Sequence, residues 1–176
     1  MQLTDSKDIK AAPETVWAAI LNPEVLKECV PGCESLTGSV EEGFEAAVVQ
    51  KVGPVKARFT GVVKLSDIEI GRAVRISGEG KGGPAGFAKG GANVTLTATE
   101  TGTRLSYEVE ANVGGKIAQL GSRIIDGFAK KMADEFFTRF QEAVEGPAEE
   151  EIAAEGEGAE GEDGTKKKGW FKRLIG

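Results

Sequence analysis

From Ile117 to Val144 apolar side chains recur every three or four residues: Ile117, Leu120, Ile124, Phe128, Met132, Phe136, Phe140 and Val144, with Ile125 and Phe137 beside the stripe. That is the period of an α-helix with one wide apolar face, sustained for about eight turns. Such a face must be covered, and the preceding residues supply the cover. Gly43–Val52, Val55–Asp67, Arg72–Gly78, Ala92–Ala98 and Thr103–Val113 alternate apolar with polar side chains. Period two means strands with one wet side, as in an antiparallel sheet. Glu100-Thr101-Gly102 reads as a hairpin turn between the last two. The long helix should therefore lie across the apolar face of an antiparallel meander, ending at Gly146-Pro147.

The N-terminal part completes the architecture. Met1–Lys10 reads as a strand. Ala12-Pro13-Glu14 and Asn22-Pro23-Glu24 each open a short helix, because proline suits the first turn and glutamate the positive helix end. Pro31-Gly32 stops the second. The fold class is α+β, in the helix-grip arrangement: a curved antiparallel sheet wrapped around a long C-terminal helix, with two short helices after the first strand. Small residues on the inward strand positions (Ala46, Ala57, Gly61, Ala92, Ala98, Ala111) suit either close helix packing or a ligand cavity.

Charge divides the chain of 176 residues into three. Met1–Gly146 holds 17 basic and 20 acidic residues and forms one domain. Residues 147–165 hold eight acids and no base, lack any core-forming pattern, and read as a disordered linker of roughly 25 Å reach. Residues 166–176 hold Lys166, Lys167, Lys168, Lys172 and Arg173 with Trp170, Phe171, Leu174 and Ile175 on one helical face. This is the pattern of a small interfacial helix. Each cation near an anionic leaflet adds about 1 kcal/mol and each buried aromatic about 2 kcal/mol, which suits reversible membrane binding. Docking of the same tail on a partner protein or on its own domain is the alternative.

Several chemistries fall away. Histidine is absent, which removes histidine bases, triads and metal ligands. Cys29 and Cys33 have no companion ligands, so they read as structural thiols and no metal is expected. Gly78–Gly83 (GEGKGG) fits G-x-G-x-x-G, but Pro84-Ala85-Gly86 follows where a nucleotide site needs a helix. The stretch Gly82–Gly91 reads instead as a mobile loop at a cavity mouth, with Phe87 as core or gate. Nucleic-acid binding has no support in an acidic domain. MQLTDSKDIK lacks the pattern of a secretory signal and no run is long enough to span a bilayer. The expected location is cytoplasmic, peripheral at the inner face of the cell membrane.

The stretches APETVWAAILNPEVLKECVPGCESL (Ala12–Leu36), GPAGFAKGGANVTL (Gly83–Leu96) and VGGKIAQLGSRIIDGFAKKMADEFFTRF (Val113–Phe140) resemble the CoxG family, the G subunit of carbon monoxide dehydrogenase, within the START-like (SRPBCC) superfamily. The resemblance covers nearly all of residues 1–145. It implies an apolar cavity under the long helix, association with a molybdenum-type carbon monoxide dehydrogenase, and a role in coupling that enzyme to the membrane. On that basis the chain is expected to be no enzyme but a carrier of an isoprenoid quinone (menaquinone or ubiquinone). The pocket candidates are Phe44, Val48, Phe59, Val63, Leu105, Tyr107, Leu120, Ile124, Phe128 and Met132, with Phe87 at the mouth. Gln50 and Tyr107, polar groups on apolar strand faces, either bond the backbone or hold a quinone carbonyl. The alternative is an adaptor that anchors or assembles the dehydrogenase without carrying quinone.

Overall fold

The computed structural model describes the backbone of residues 1–155 and the side chains of residues 1–145. In chain order the elements are β1 (Gln2–Ile9), α1 (Pro13–Ile20), α2 (Pro23–Cys29), β2 (Cys33–Ser39), β3 (Gly43–Val52), β4 (Val55–Glu69), β5 (Ala73–Lys81), β6 (Phe87–Ala98), β7 (Thr103–Gly114) and α3 (Ser122–Glu155). The seven strands form one antiparallel sheet in the order β1-β7-β6-β5-β4-β3-β2. Strands β2 to β7 make a meander, and α1 and α2 carry the chain from one edge strand, β1, to the other, β2. The helix-grip architecture is thus present.

Local chemistry sets the helix starts. Pro13 and Pro23 occupy the first turns of α1 and α2, where a missing N–H costs nothing. The Asn22 carboxamide oxygen caps α2, accepting from the Glu24 N–H at 2.8 Å and the Val25 N–H at 3.4 Å. Helix α3 packs on α2, β1 and β3. Its C-terminal half closes the main core. Phe137 stacks on Tyr107 at 5.1 Å, Phe136 stacks on Phe140 at 5.7 Å, and Phe140 is fully buried with Ile9, Val16 and Leu105. Burying one such aromatic contributes about 3 kcal/mol.

Three features differ from the sequence reading. The stripe from Ile117 to Val144 is not one helix: Lys116–Leu120 is a 3₁₀ turn, set off by Gly115 (φ 80°) and Gly121 (φ 94°), conformations that favour glycine, and α3 begins at Ser122. Helix α3 does not stop at Gly146-Pro147 but runs to Glu155. Pro147 removes one helical N–H, yet the alanines and glutamates that follow have high helix propensity. Third, Gly82–Gly91 is no mobile loop. Only Gly83–Ala85 is a turn, and Phe87 to Gly91 already belong to β6, in register with Lys81 to Ser77 of β5. Neighbouring strands supply the backbone partners that offset glycine's low strand propensity. Residues 156–165 of the acidic linker and the basic tail 166–176 lie outside the described residues.

Candidate functional site

A second, smaller apolar cluster stands apart from the main core. Val52, Ala85 and Ile117 are buried there, with Phe59, Val113, Leu120 and Phe128 packed against them. Beside this cluster the sheet and α3 form a half-open cavity of about 250 Å³. Its walls are Val48, Gln50 and Val52 of β3, Phe59 of β4, Ala111 and Val113 of β7, and Ile125, Phe128, Ala129 and Met132 of α3. Met1, Ala88 and Ile117 complete it, and Gln50 is the one polar side chain in that lining. A groove of about 350 Å³ on the same face adjoins the cavity through shared Val48, Phe59, Ala88 and Ala111, and extends it past Val63, Ile76 and Val109.

The space exists because the middle of the sheet carries almost no side chains on this face. In register across β3 to β6 run Ala46, Gly61, Gly80 and Ala88. The next row is Val63, Gly78, Gly90 and Ala111. A side chain on β5 would stand in the centre of the space, and β5 has Gly78 and Gly80 there. A Cβ built on Gly80 meets nothing closer than the Thr60 carbonyl oxygen at 4.0 Å. The absence of side chains at these positions leaves the open groove beside the cavity, and the accessible lining of the cavity itself is apolar.

The expected pocket residues divide into groups. Val48, Phe59, Phe128 and Met132 line the cavity, and Val63 lines the adjoining groove. Leu120 and Ile124 do not line the cavity: each lies 3.5 Å from the position of a Cβ on Gly53 in the β3–β4 turn, and Ile124 is 40% exposed. Phe44, Leu105 and Tyr107 are corrected: they lie on the predicted face but are buried outside the cavity, Leu105 and Tyr107 in the main core beneath the C-terminal half of α3. Phe87 is also corrected. Strand alternation puts Ala88 in the cavity and Phe87 on the other face of the sheet, where its ring covers Gly114 and is 41% exposed. It is not a gate. Ala88, Ala111, Ile117, Ile125 and Ala129 also line the cavity and are not among the expected residues. Of these, Ala111 carries a signal in the sequence, as a small residue at an inward strand position.

The two polar candidates separate. Gln50 bonds the backbone, donating its side-chain N–H to the Pro31 carbonyl, and presents only the apolar part of its side chain to the cavity. Tyr107 is held in the core by Phe137; burial raises its phenol pKa, and the charges of Asp5 and Asp134 raise it further. Lys7 bridges those two carboxylates, 3.7 Å from Asp5 and 3.6 Å from Asp134, and so ties β1 to α3. Cys29 is buried in the main core, and burial pushes its thiol up to about 12. Among the described residues no group of three His, Cys, Asp or Glu side chains is placed to hold a metal ion. No helix among them is long and apolar enough to cross a membrane.

Solved structures share this arrangement. A conserved protein from Geobacillus kaustophilus is 30% identical with a TM-score of 0.76, covering 82% of this chain and 95% of that one. TTHA0849 from Thermus thermophilus is 16% identical with a TM-score of 0.60, covering 81% and 95%. A START superfamily protein from Mycobacterium smegmatis is 10% identical with a TM-score of 0.61, covering 82% and 97%. The last two likenesses establish the fold alone. No curated protein matches the chain. Residues 6–145 match the family described as the carbon monoxide dehydrogenase G subunit (CoxG). With its START-like fold and an apolar cavity between sheet and α3, this chain belongs to the CoxG family.

Proposed function

We propose that the chain is a non-enzymatic binding protein that carries an isoprenoid quinone in the cavity between its sheet and α3. In this reading it couples a molybdenum carbon monoxide dehydrogenase to the membrane quinone pool. The observation that carries the proposal is the apolar cavity of about 250 Å³ beside α3, continuous with a groove floored by Gly61, Gly78, Gly80 and Gly90. A quinone is an apolar ring and tail with carbonyl acceptors. It needs an apolar space, which Val48, Phe59, Phe128 and Met132 offer, and a donor, for which the Gln50 amide would turn from the Pro31 carbonyl. The cavity alone is slightly smaller than the roughly 300–1,000 Å³ usual for ligand sites, and the adjoining groove brings it into that range. The family's name supplies the partner: a soluble dehydrogenase and a greasy acceptor require an intermediary. The basic tail 166–176, with Trp170 and Phe171, is proposed to hold the protein reversibly to the anionic inner face of the membrane.

The carrier and the adaptor differ in a reconstituted assay. Dehydrogenase, carbon monoxide and quinone-loaded vesicles are mixed with the full chain or with its Gly80→Leu variant, whose added side chain occupies the groove that adjoins the cavity. A carrier restores quinone reduction only as wild type. Equal reduction with both proteins would mean that the cavity is idle and that the chain is an adaptor.

A further inference from the structure

The fold is electrically polar along its strands. At one pole meet the β3–β4 turn, the β5–β6 turn, the 3₁₀ turn Lys116–Leu120 and the first turn of α3. They are in contact: Ala85 of the β5–β6 turn packs on Val52 and Ile117, and Leu120 and Ile124 lie over Gly53. The segments forming this pole, Val49–Ala57, Gly80–Ala88 and Val113–Ile125, contain five cations and no acid. Lys51, Lys56, Lys81, Lys116 and Arg123 are all exposed. Lys51 and Lys56 are register partners, which places two like charges side by side with no carboxylate between them. The rest of Met1–Gly146 holds 12 basic against 20 acidic residues. At the opposite pole, the β2–β3, β4–β5 and β6–β7 turns and the adjoining end of β4 present Glu41, Glu42, Asp67, Glu69 and Glu100 against the single cation Arg72, which pairs with Glu69.

The basic pole is also where the cavity ends. Val52, Val113 and Ile117 line the cavity there, and Ile124 stands 40% exposed beside it. Cations around an exposed apolar residue, at the end of an apolar cavity, match an anionic bilayer better than an acidic protein surface. Phosphates would pair the lysines while Ile124 enters the acyl boundary. We propose that the folded domain itself docks on anionic phospholipid by this pole, through Lys51, Lys56, Lys81, Lys116 and Arg123 with Ile124 at the contact. The acidic opposite pole is repelled, so the domain is oriented with its cavity end towards the lipid. This rests on the reading that the cavity exchanges an apolar ligand with a bilayer, and it adds a docking face separate from the tail.

The test uses the full chain on a Cys33→Ser background, Cys29 being buried. An environment-sensitive fluorophore is attached at Ile124→Cys or, as a control, at Ile70→Cys on the opposite pole, where Ile70 is 87% exposed. Vesicles of equal parts phosphatidylglycerol and phosphatidylcholine, without quinone, are added. The probe at 124 should shift to the blue and the probe at 70 should not. Reversing Lys51, Lys56 and Lys116 to Glu together should weaken vesicle affinity about tenfold or more and abolish the shift. Reversing Lys10, Lys64 and Lys131, the same change in net charge, should do much less. A probe at 124 that stays in water while the protein sediments with vesicles would assign binding to the tail alone and overturn the proposal. So would equal losses from the two triple variants, which would reduce the effect to net charge, or a lack of vesicle binding, which would leave an acidic protein as the pole's partner. Because the vesicles hold no quinone, docking without later quinone extraction would sink the carrier reading and leave this one standing.

Discussion

Gly80 of β5 pairs with Ala88 of β6 on the face of the sheet turned to α3, and a Cβ on Gly80 would meet no atom closer than 4.0 Å. Neighbouring glycines differ. A Cβ on Gly90 would run into the Glu110 carbonyl oxygen, and one on Gly61 into that of Glu79. Gly80 is glycine with nothing in the way, as expected of a position whose open space is itself useful.

Gly80→Leu should therefore fold. Replacing a strand glycine removes an entropic cost of about 0.5–1 kcal/mol, so the variant should be as stable as wild type or slightly more so. Gly90→Ala should lose stability, because the Glu110 backbone must shift. Urea denaturation of the two variants side by side checks the contrast.

Two phenylalanines of α3 should respond unequally. Phe140 is fully buried in the main core, and Phe140→Ala should cost about 3–5 kcal/mol. Phe128 borders the cavity and is only partly buried, so Phe128→Ala should cost less than about 2 kcal/mol while enlarging the site. Equal losses would mean that no void lies beneath Phe128.

Gln50→Leu keeps the size of the side chain and removes its donors. Stability should fall by about 1 kcal/mol for the lost bond to the Pro31 carbonyl. Quinone affinity should fall roughly three- to tenfold, the worth of one neutral hydrogen bond. Unchanged affinity in a quinone titration would remove Gln50 from the site.

Alkaline pH should weaken the fold through Cys29. Its thiol is raised by burial from 9.0 to about 12, so above pH 9.0 the unfolded chain gives up this proton before the folded one does. Stability from this group is complete below pH 9.0 and declines as pH rises towards 12. Tyr107, raised from 10.0 by burial, acts with the same sign. Urea midpoints at pH 8 and pH 10.5 should differ more for wild type than for Cys29→Ala.

The sequence carries the fold further than the site. Period-two segments and the helical stripe identify the sheet, its inward face and the covering helix, because burial is written in alternation. Position along a strand is not. Val48, Phe44 and Tyr107 all face inward, yet only Val48 reaches the void, since α3 touches the sheet at one end and stands away at the other. Gly90 and Gly91 of β6 read as a loop because their strand character comes from pairing with Ala111 and Glu110, which are distant in the chain. Phe87 shows the reverse error: its neighbour Ala88, with the weaker signal, is the one that lines the cavity.

Whether the space over Gly80 holds a quinone can be measured directly. Full-length protein is purified without detergent from a host that makes quinones, extracted with organic solvent and examined by mass spectrometry, beside Gly80→Leu. Near-stoichiometric isoprenoid quinone from wild type and almost none from the folded variant is the predicted result. Wild type without quinone, or equal quinone from both proteins, would contradict it.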